Sequence, residues 1–132
     1  MKGFVKDIEE LTEANRDFRR VLYTAKHLQL VLMALKPGED IGEEVHADRD
    51  QFFRVEKGTG EILIDGHPTP IKSDDAMIVP AGARHNVTNT GDKPLLLYTL
   101  YGPPEHKDGI VRATKAEAEA SEEHFDGKTT EQ

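Results

Sequence analysis

Short apolar runs separated by turn residues occupy the chain from Val21 to Tyr101, and this pattern constrains the fold more than any other feature. The runs are rich in Leu, Val and Ile, and pairs containing Gly or Pro interrupt them at roughly 8–12-residue spacing. One interruption, Asp65-Gly66, is typical of a two-residue hairpin turn because both residue types tolerate a positive φ angle. The pattern predicts an all-β domain, either a sandwich or a barrel.

The two ends of the chain have a different composition and predict helices. Asp7–Asn15 predicts one short helix with Asp7 as its N-cap. Thr114–His124 contains strong helix formers but no wide apolar stripe, so we expect a solvated or frayed helix there and a disordered tail after it. The expected division is an N-terminal extension (1–20), a barrel (21–105) and a C-terminal tail (106–132).

Charge and cysteine content narrow the classes of partner. Asp and Glu number 25 against 17 Lys and Arg, a formal net charge of −8, whereas nucleic-acid binding requires a basic face. No apolar stretch approaches the length of a membrane span, and the first residues lack a signal-peptide core. The absence of cysteine excludes disulfides and thiolate metal sites. We expect a cytoplasmic protein that binds neither nucleic acid nor membranes. Much of the acidic excess lies in the tail, so its charge is expected to say little about the active surface.

Four polar side chains are spaced so that a closed barrel would bring them together. Glu44 and His46 are two residues apart on an extended segment and therefore share one face. Gln51 opens the next predicted strand on its inward side, and His85 follows the tight turn Pro80-Ala81-Gly82. Closure of the strands into a barrel would make these four groups converge.

The spacing of these residues resembles the two sequence motifs of the cupin family. The first family motif runs Gly, five residues, His-x-His, three or four residues, Glu, six residues, Gly; the second runs Gly, five residues, Pro-x-Gly, two residues, His, three residues, Asn. The corresponding residues here are Gly38, Glu44, His46, Gln51 and Gly58, then Asp74, Pro80, Gly82, His85 and Asn89. The resemblance covers Gly38–Asn89 and implies a double-stranded β-helix, or jelly-roll, barrel with the site inside it.

Two ligand positions depart from the family pattern, because Glu44 replaces the first His and Gln51 replaces the usual Glu. Two imidazoles, one carboxylate and one amide remain, so the charge offered to a divalent ion is unchanged. Glu44, His46 and His85 form a two-His, one-carboxylate set that suits Fe(II), and Zn, Mn and Ni are also compatible. Gln51 would be a weak fourth oxygen ligand or a hydrogen-bonding neighbour of the ligands.

A pocket without metal is the alternative for this cluster. In that arrangement Glu44 points to solvent, while Gln51 and the two imidazoles satisfy one another's hydrogen bonds. Desolvating a carboxylate and two imidazoles without a cation is costly, which favours the metal.

The resemblance leaves two classes of function open, because the family includes isomerases, dioxygenases, decarboxylases, sensors and storage proteins. The first hypothesis is a metal-dependent isomerase or dioxygenase acting on a sugar, sugar phosphate or keto acid. There Glu44, if it does not bind the metal, acts as the catalytic base. The second is a non-catalytic module that holds a small ligand and reports it to a partner. By resemblance we also expect a homodimer, with Phe4–Ile8 and Val21–Leu35 supplying an edge.

A few further side chains are weaker candidates. Arg49, Arg54 and Arg84 could meet an anionic substrate at the barrel mouth, although ordinary surface charge is the favoured interpretation. His106 follows Pro103-Pro104 in a segment that could cross the pocket entrance, but a surface position is favoured for it as well.

Overall fold

Ten β-strands form two antiparallel sheets in the computed structural model, which describes residues 1–131. The elements in chain order are α1 (Ile8–Ala14), β1 (Arg19–Thr24), β2 (Gln29–Leu35), β3 (Glu44–Val45), β4 (Asp50–Lys57), β5 (Thr59–Ile64), β6 (His67–Lys72), β7 (Ala76–Val79), β8 (Arg84–Asn89), β9 (Leu95–Gly102), β10 (Val111–Arg112) and α2 (Lys115–Ala120). One sheet has the order β10-β1-β2-β9-β4-β7 and the other the order β3-β8-β5-β6. This is the jelly-roll barrel that the sequence predicts.

Alternating side chains from both sheets fill the barrel. On β2, Val31, Met33 and Leu35 face inward, as period-two alternation requires. On β4, Phe53 faces inward beside Gln51 and is fully buried. The inward faces contribute most of the core, which includes Val31, Met33, Leu35, Phe53, Val55, Ile62, Ile71, Val79, Val87, Leu95 and Leu97. The core fills most of the interior, and the polar site residues lie beside it.

Turn chemistry closes the strands as the sequence indicates. Asp65 (φ 46°) and Gly66 (φ 80°) both have positive φ between β5 and β6, which confirms the predicted hairpin. Asp74, at the place of a family glycine, also has positive φ (75°), a conformation that Asp tolerates better than most residues. At Gly58 the structure requires glycine itself, because the Cβ atom of any other residue would lie only 2.7 Å from the Pro94 carbonyl oxygen.

The two helices are short, and a side-chain N-cap begins each of them. The Asp7 side chain accepts a hydrogen bond from the Glu10 backbone N–H at 3.0 Å, which confirms the predicted start of α1. α2 begins after Thr114 but ends at Ala120, earlier than predicted, because Ser121 has left the helical conformation. Neither helix of the described chain has the length and apolarity that a membrane crossing requires.

The C-terminal segment lies against the barrel. Ile110 and Ala118 are buried in the main core. The Thr130 backbone N–H donates to the Thr24 carbonyl at 2.9 Å, and the Phe125 N–H donates to the Glu105 carbonyl at 2.9 Å. Residues between Glu105 and His124 form one wall of the cavity described below.

Candidate metal centre

Three of the four predicted ligands meet at one end of the barrel. β3 pairs with β8 so that Glu44 lies directly opposite His85, and His46 follows two residues later. The candidate ligand atoms of these three residues all lie within 4.8 Å of one another. The imidazole rings of His46 and His85 are 5.6 Å apart between centroids. The strand register therefore assembles a two-His, one-carboxylate cluster of the kind that transition metals prefer.

Gln51, the fourth predicted ligand, is buried and keeps one unused oxygen. It faces inward from β4, paired with Tyr101 of β9 in the register. Its Nε2 donates to the Thr99 hydroxyl at 2.9 Å, and that hydroxyl donates its own proton to the Phe52 carbonyl at 2.8 Å. The hydroxyl can therefore only accept from Gln51, which sets the orientation of the amide. Gln51 Oε1 is buried and has no hydrogen-bond partner within residues 1–131.

The protonation chemistry of the cluster suits a cation. Glu44 Oε2 and His46 Nε2 share a hydrogen bond of 2.8 Å, which raises the pKa of His46. Burial lowers the pKa of His85, because it disfavours the charged ring, and no described residue forms a hydrogen bond with its Nε2. A metal ion would replace the proton held between Glu44 and His46 and would also satisfy His85.

The metal-free alternative requires a different set of contacts from those observed. In that alternative Gln51 and the two imidazoles form hydrogen bonds with one another. In the described structure, however, neither Gln51 Oε1 nor His85 Nε2 has a hydrogen-bond partner. It also directs Glu44 to solvent, whereas Glu44 is hydrogen-bonded to His46. Unpaired buried polar atoms are uncommon and need a partner, so the residues fit a bound divalent ion.

Glu105, a carboxylate that the sequence did not indicate, lies next to the cluster on the Nδ1 side of His46. Glu105 Oε2 lies 3.6 Å from His46 Nδ1 and 3.0 Å from Arg49 Nε. Arg49 also donates to the Pro104 carbonyl at 2.9 Å, so its guanidinium holds the segment that carries Glu105. Carboxylates commonly orient metal-binding imidazoles from this side. Arg49, which the sequence offered as a weak candidate for binding an anionic substrate, therefore orients Glu105 instead.

Gln29 holds the same segment from inside the barrel. It is fully buried, and its Oε1 accepts hydrogen bonds from the backbone N–H groups of Glu105 (3.2 Å) and His106 (2.9 Å). Its Nε2 donates to the His106 carbonyl at 2.7 Å and to the Thr24 hydroxyl at 2.9 Å. A glutamine opening an otherwise apolar strand is the signal that could have identified this residue.

Tyr101 and His106 form a neutral, buried pair beside His46. The Tyr101 ring lies edge-on to His46 at 5.9 Å and to His106 at 5.2 Å between centroids. Burial raises the pKa of Tyr101, and burial lowers the pKa of His106 to about 3. The favoured surface position for His106 is therefore wrong, because the side chain is buried and lines the cavity described below.

A cavity of about 410 Å³ opens onto the cluster, a size suited to a small ligand. Its lining includes Glu44, His46, Glu105 and His106 from the site and Phe18 and Arg19 from the start of the barrel. The charge of the acidic tail was expected to say little about the active surface, but Glu119, Glu122 and Glu123 line the same cavity.

The other two arginine candidates lie in surface ion pairs. Arg54 pairs with Asp74 at 3.1 Å and Arg84 pairs with Glu43 at 3.0 Å. Neither guanidinium lines the cavity among the residues described.

The fold and the site together define a double-stranded β-helix protein with a candidate two-His, one-carboxylate metal centre. Residues 31–101 match the family model described as Cupin domain, and the chain belongs to the cupin family.

Relatives share this fold over most of the chain. The uncharacterised protein YrkC of Bacillus subtilis is 45% identical over 92% of this chain and 69% of its own length. The crystal structure of BH2720 from Bacillus halodurans is 46% identical, with a TM-score of 0.89 over 91% of this chain and 96% of that one. Mannose-1-phosphate guanylyltransferase of Escherichia coli is 31% identical over 64% of this chain but only 18% of the enzyme. That similarity therefore concerns one part of a longer enzyme.

Proposed function

We propose that the protein is a small metalloenzyme that holds one divalent transition metal ion (Fe, Zn, Mn or Ni) and acts on an oxygen-rich small molecule. The ligands in this proposal are Glu44, His46 and His85, with Gln51 as a fourth, neutral oxygen donor. The observation that carries it is the pair of buried, unpaired atoms, His85 Nε2 and Gln51 Oε1, beside a hydrogen-bonded Glu44–His46 pair. A bound divalent ion supplies Lewis-acid polarisation of a substrate carbonyl or hydroxyl oxygen.

The protein's own residues supply the proposed proton transfer and surround His46. If Glu44 does not bind the metal, its carboxylate is the proposed base, because it lines the cavity and its side chain remains 31% exposed. Glu105, which pairs with Arg49, lies 3.6 Å from His46 Nδ1, and the Tyr101 ring lies edge-on to the His46 ring. An isomerase needs only this proton transfer, whereas a dioxygenase also consumes O2.

Metal content tests the first half of the proposal. Protein purified without chelator and measured by elemental analysis should contain close to one transition metal ion per chain. His46→Ala and His85→Ala should each lose it, because each removes one of two imidazole ligands, while the exposed His67→Ala should retain it. If both ligand variants retain the metal, His46 and His85 are not its ligands.

Turnover tests the second half. Uronates, aldoses, keto acids and β-diketones would be screened with the metal-loaded protein, with O2 and without it. Turnover that does not need O2 supports an isomerase, and O2-dependent turnover supports a dioxygenase. Binding of these compounds without turnover by wild type would instead support the non-catalytic binding module.

We also propose a homodimer, but through a sheet face rather than the edge expected from the sequence. β2 lies between β1 and β9, so most of Val21–Leu35 is not an edge. The register instead places Leu30, Leu100, Phe52 and Ile78 in one outward row across four strands, and Ile78 is 69% exposed. A second copy of the chain would cover this row. The cytoplasmic location and the absence of nucleic-acid and membrane partners stay predictions.

A further inference from the structure

The cavity beside the metal centre contains an arginine that forms no ion pair with any residue the structure describes. Arg19 lies on the inward side of β1, two residues before the core residue Val21. Its Nε is buried without a hydrogen-bond partner in the described part of the chain, and its guanidinium carbon lies 5.6 Å from the centre of the Phe18 ring. Both residues line the cavity. An inward-facing arginine at the start of a barrel strand requires a physical explanation, because burying a hydrogen-bond donor without a partner costs free energy.

The carboxylates around the cavity do not neutralise Arg19, because most already have other cationic partners. The pairs are Glu43–Arg84 at 3.0 Å, Glu105–Arg49 at 3.0 Å, Glu119–Lys115 at 3.8 Å and the close contact Glu123–Arg112. Glu122 is exposed to solvent, and Glu44 belongs to the metal cluster. Lys115, the other non-histidine cation in the described lining, also pairs closely with Asp40. Arg19 is thus available to a ligand.

Arg19 also shares its cavity with the metal cluster. Glu44 and His46 of the cluster line that cavity, and so does His106 beside them. One small molecule in a cavity of about 410 Å³ could therefore contact the guanidinium and the cluster together.

We propose that Arg19 binds the carboxylate of a small hydroxy- or keto-carboxylate whose hydroxyl or keto oxygen faces the metal centre. This inference rests on the proposed function and narrows its substrate class from oxygen-rich molecules in general to monocarboxylates. A guanidinium binds a carboxylate through two parallel hydrogen bonds, which fixes the orientation of the ligand.

The charge of the cavity favours a carboxylate over a phosphate. One guanidinium balances the single negative charge of a carboxylate. A phosphate ester carries nearly two negative charges at neutral pH, and the second would face Glu44 and Glu105, which line the same space. A neutral sugar hydroxyl accepts a hydrogen bond from Arg19 but does not balance its charge.

Calorimetric titration of the metal-loaded protein tests this assignment with four named probes. Pyruvate and glycerate carry the carboxylate, glycerol lacks it, and glycerol 1-phosphate replaces it with phosphate. Wild type should bind pyruvate and glycerate at least about tenfold more tightly than glycerol or glycerol 1-phosphate, the factor expected for one charged hydrogen-bonded contact. Arg19→Gln should lose that preference and keep its metal affinity.

Arg20→Gln is the matched control, because Arg20 is the next residue on the same strand, faces outward and pairs with Asp17. It should bind all four probes as wild type does. Equal carboxylate affinity in Arg19→Gln and Arg20→Gln would overturn the role of Arg19, and so would wild type that binds metal but prefers glycerol or the phosphate. Failure of wild type to bind Fe, Zn, Mn or Ni would instead overturn the proposed function together with this inference.

Discussion

Replacing His106 with glutamine should flatten the acid side of the stability profile of the metal-free protein. His106 is buried against Tyr101 and faces the charged or titratable groups of Arg19, His46 and His124. Burial, followed by the charge of Arg19, lowers its pKa from 6.5 to about 3 in the folded state. The native ring is therefore neutral at pH values where the unfolded chain binds a proton.

The sign and the size of the effect follow from that difference. The stabilisation is complete above pH 6.5 and is lost as the pH falls from 6.5 towards about 3, because the unfolded state takes up the proton first. One proton changes the free energy of unfolding by about 1.4 kcal/mol per pH unit in this window. Between pH 6.5 and 4.5 His106 should therefore account for roughly 2–3 kcal/mol of lost stability.

Urea unfolding of both proteins, with chelator present and at half-unit steps from about pH 4.5 to 7.5, measures the slope directly. His106→Gln should show a slope smaller by about 1.4 kcal/mol per pH unit than wild type. His27→Gln, which changes an exposed histidine, should keep the wild-type slope. Parallel profiles for wild type and His106→Gln would refute the reasoning, whatever the absolute stability of the variant.

Two further predictions concern the support of the metal centre and the outer sheet face. Glu105→Gln should weaken metal binding about tenfold in a chelator competition, because the His46 ring loses its charged neighbour. The control Glu122→Gln should bind metal as wild type does. Equal metal affinities of the two variants would show that Glu105 does not support the metal centre. Ile78→Asp should convert the dimer to a monomer in sedimentation analysis, because it places a charge in the outward apolar row of the sheet. Val5→Asp also changes an exposed apolar residue, but it lies outside that row and should leave the dimer intact. A dimer that survives Ile78→Asp would place the interface elsewhere.

Local chemistry explains why so much of the fold and the ligand set could be predicted. Strand alternation puts Glu44 and His46 on one face, and turn residues such as Asp65-Gly66 set the hairpins. The Asp7 cap of α1 depends only on residues within one helical turn. Each of these features needs contacts over a few residues, so the sequence pattern carries them.

The support of the site could not be predicted in the same way. Gln29 reaches His106 across 77 positions of the chain, and Arg49 reaches the Pro104 carbonyl across 55. Arg19 falls before the expected barrel boundary, yet β1 begins with it and turns its side chain inward. No local periodicity indicates which distant segment packs against which strand.

The sequence by itself thus determined the all-β architecture, the family and the residue types offered to a metal, because motif spacing and strand period are local properties. Only the tertiary structure decided that Glu105 lies behind His46, that the acidic C-terminal segment lines the cavity and that Arg19 is left without a counter-ion. These facts depend on which distant segments pack together, and that packing is set by closure of the barrel as a whole.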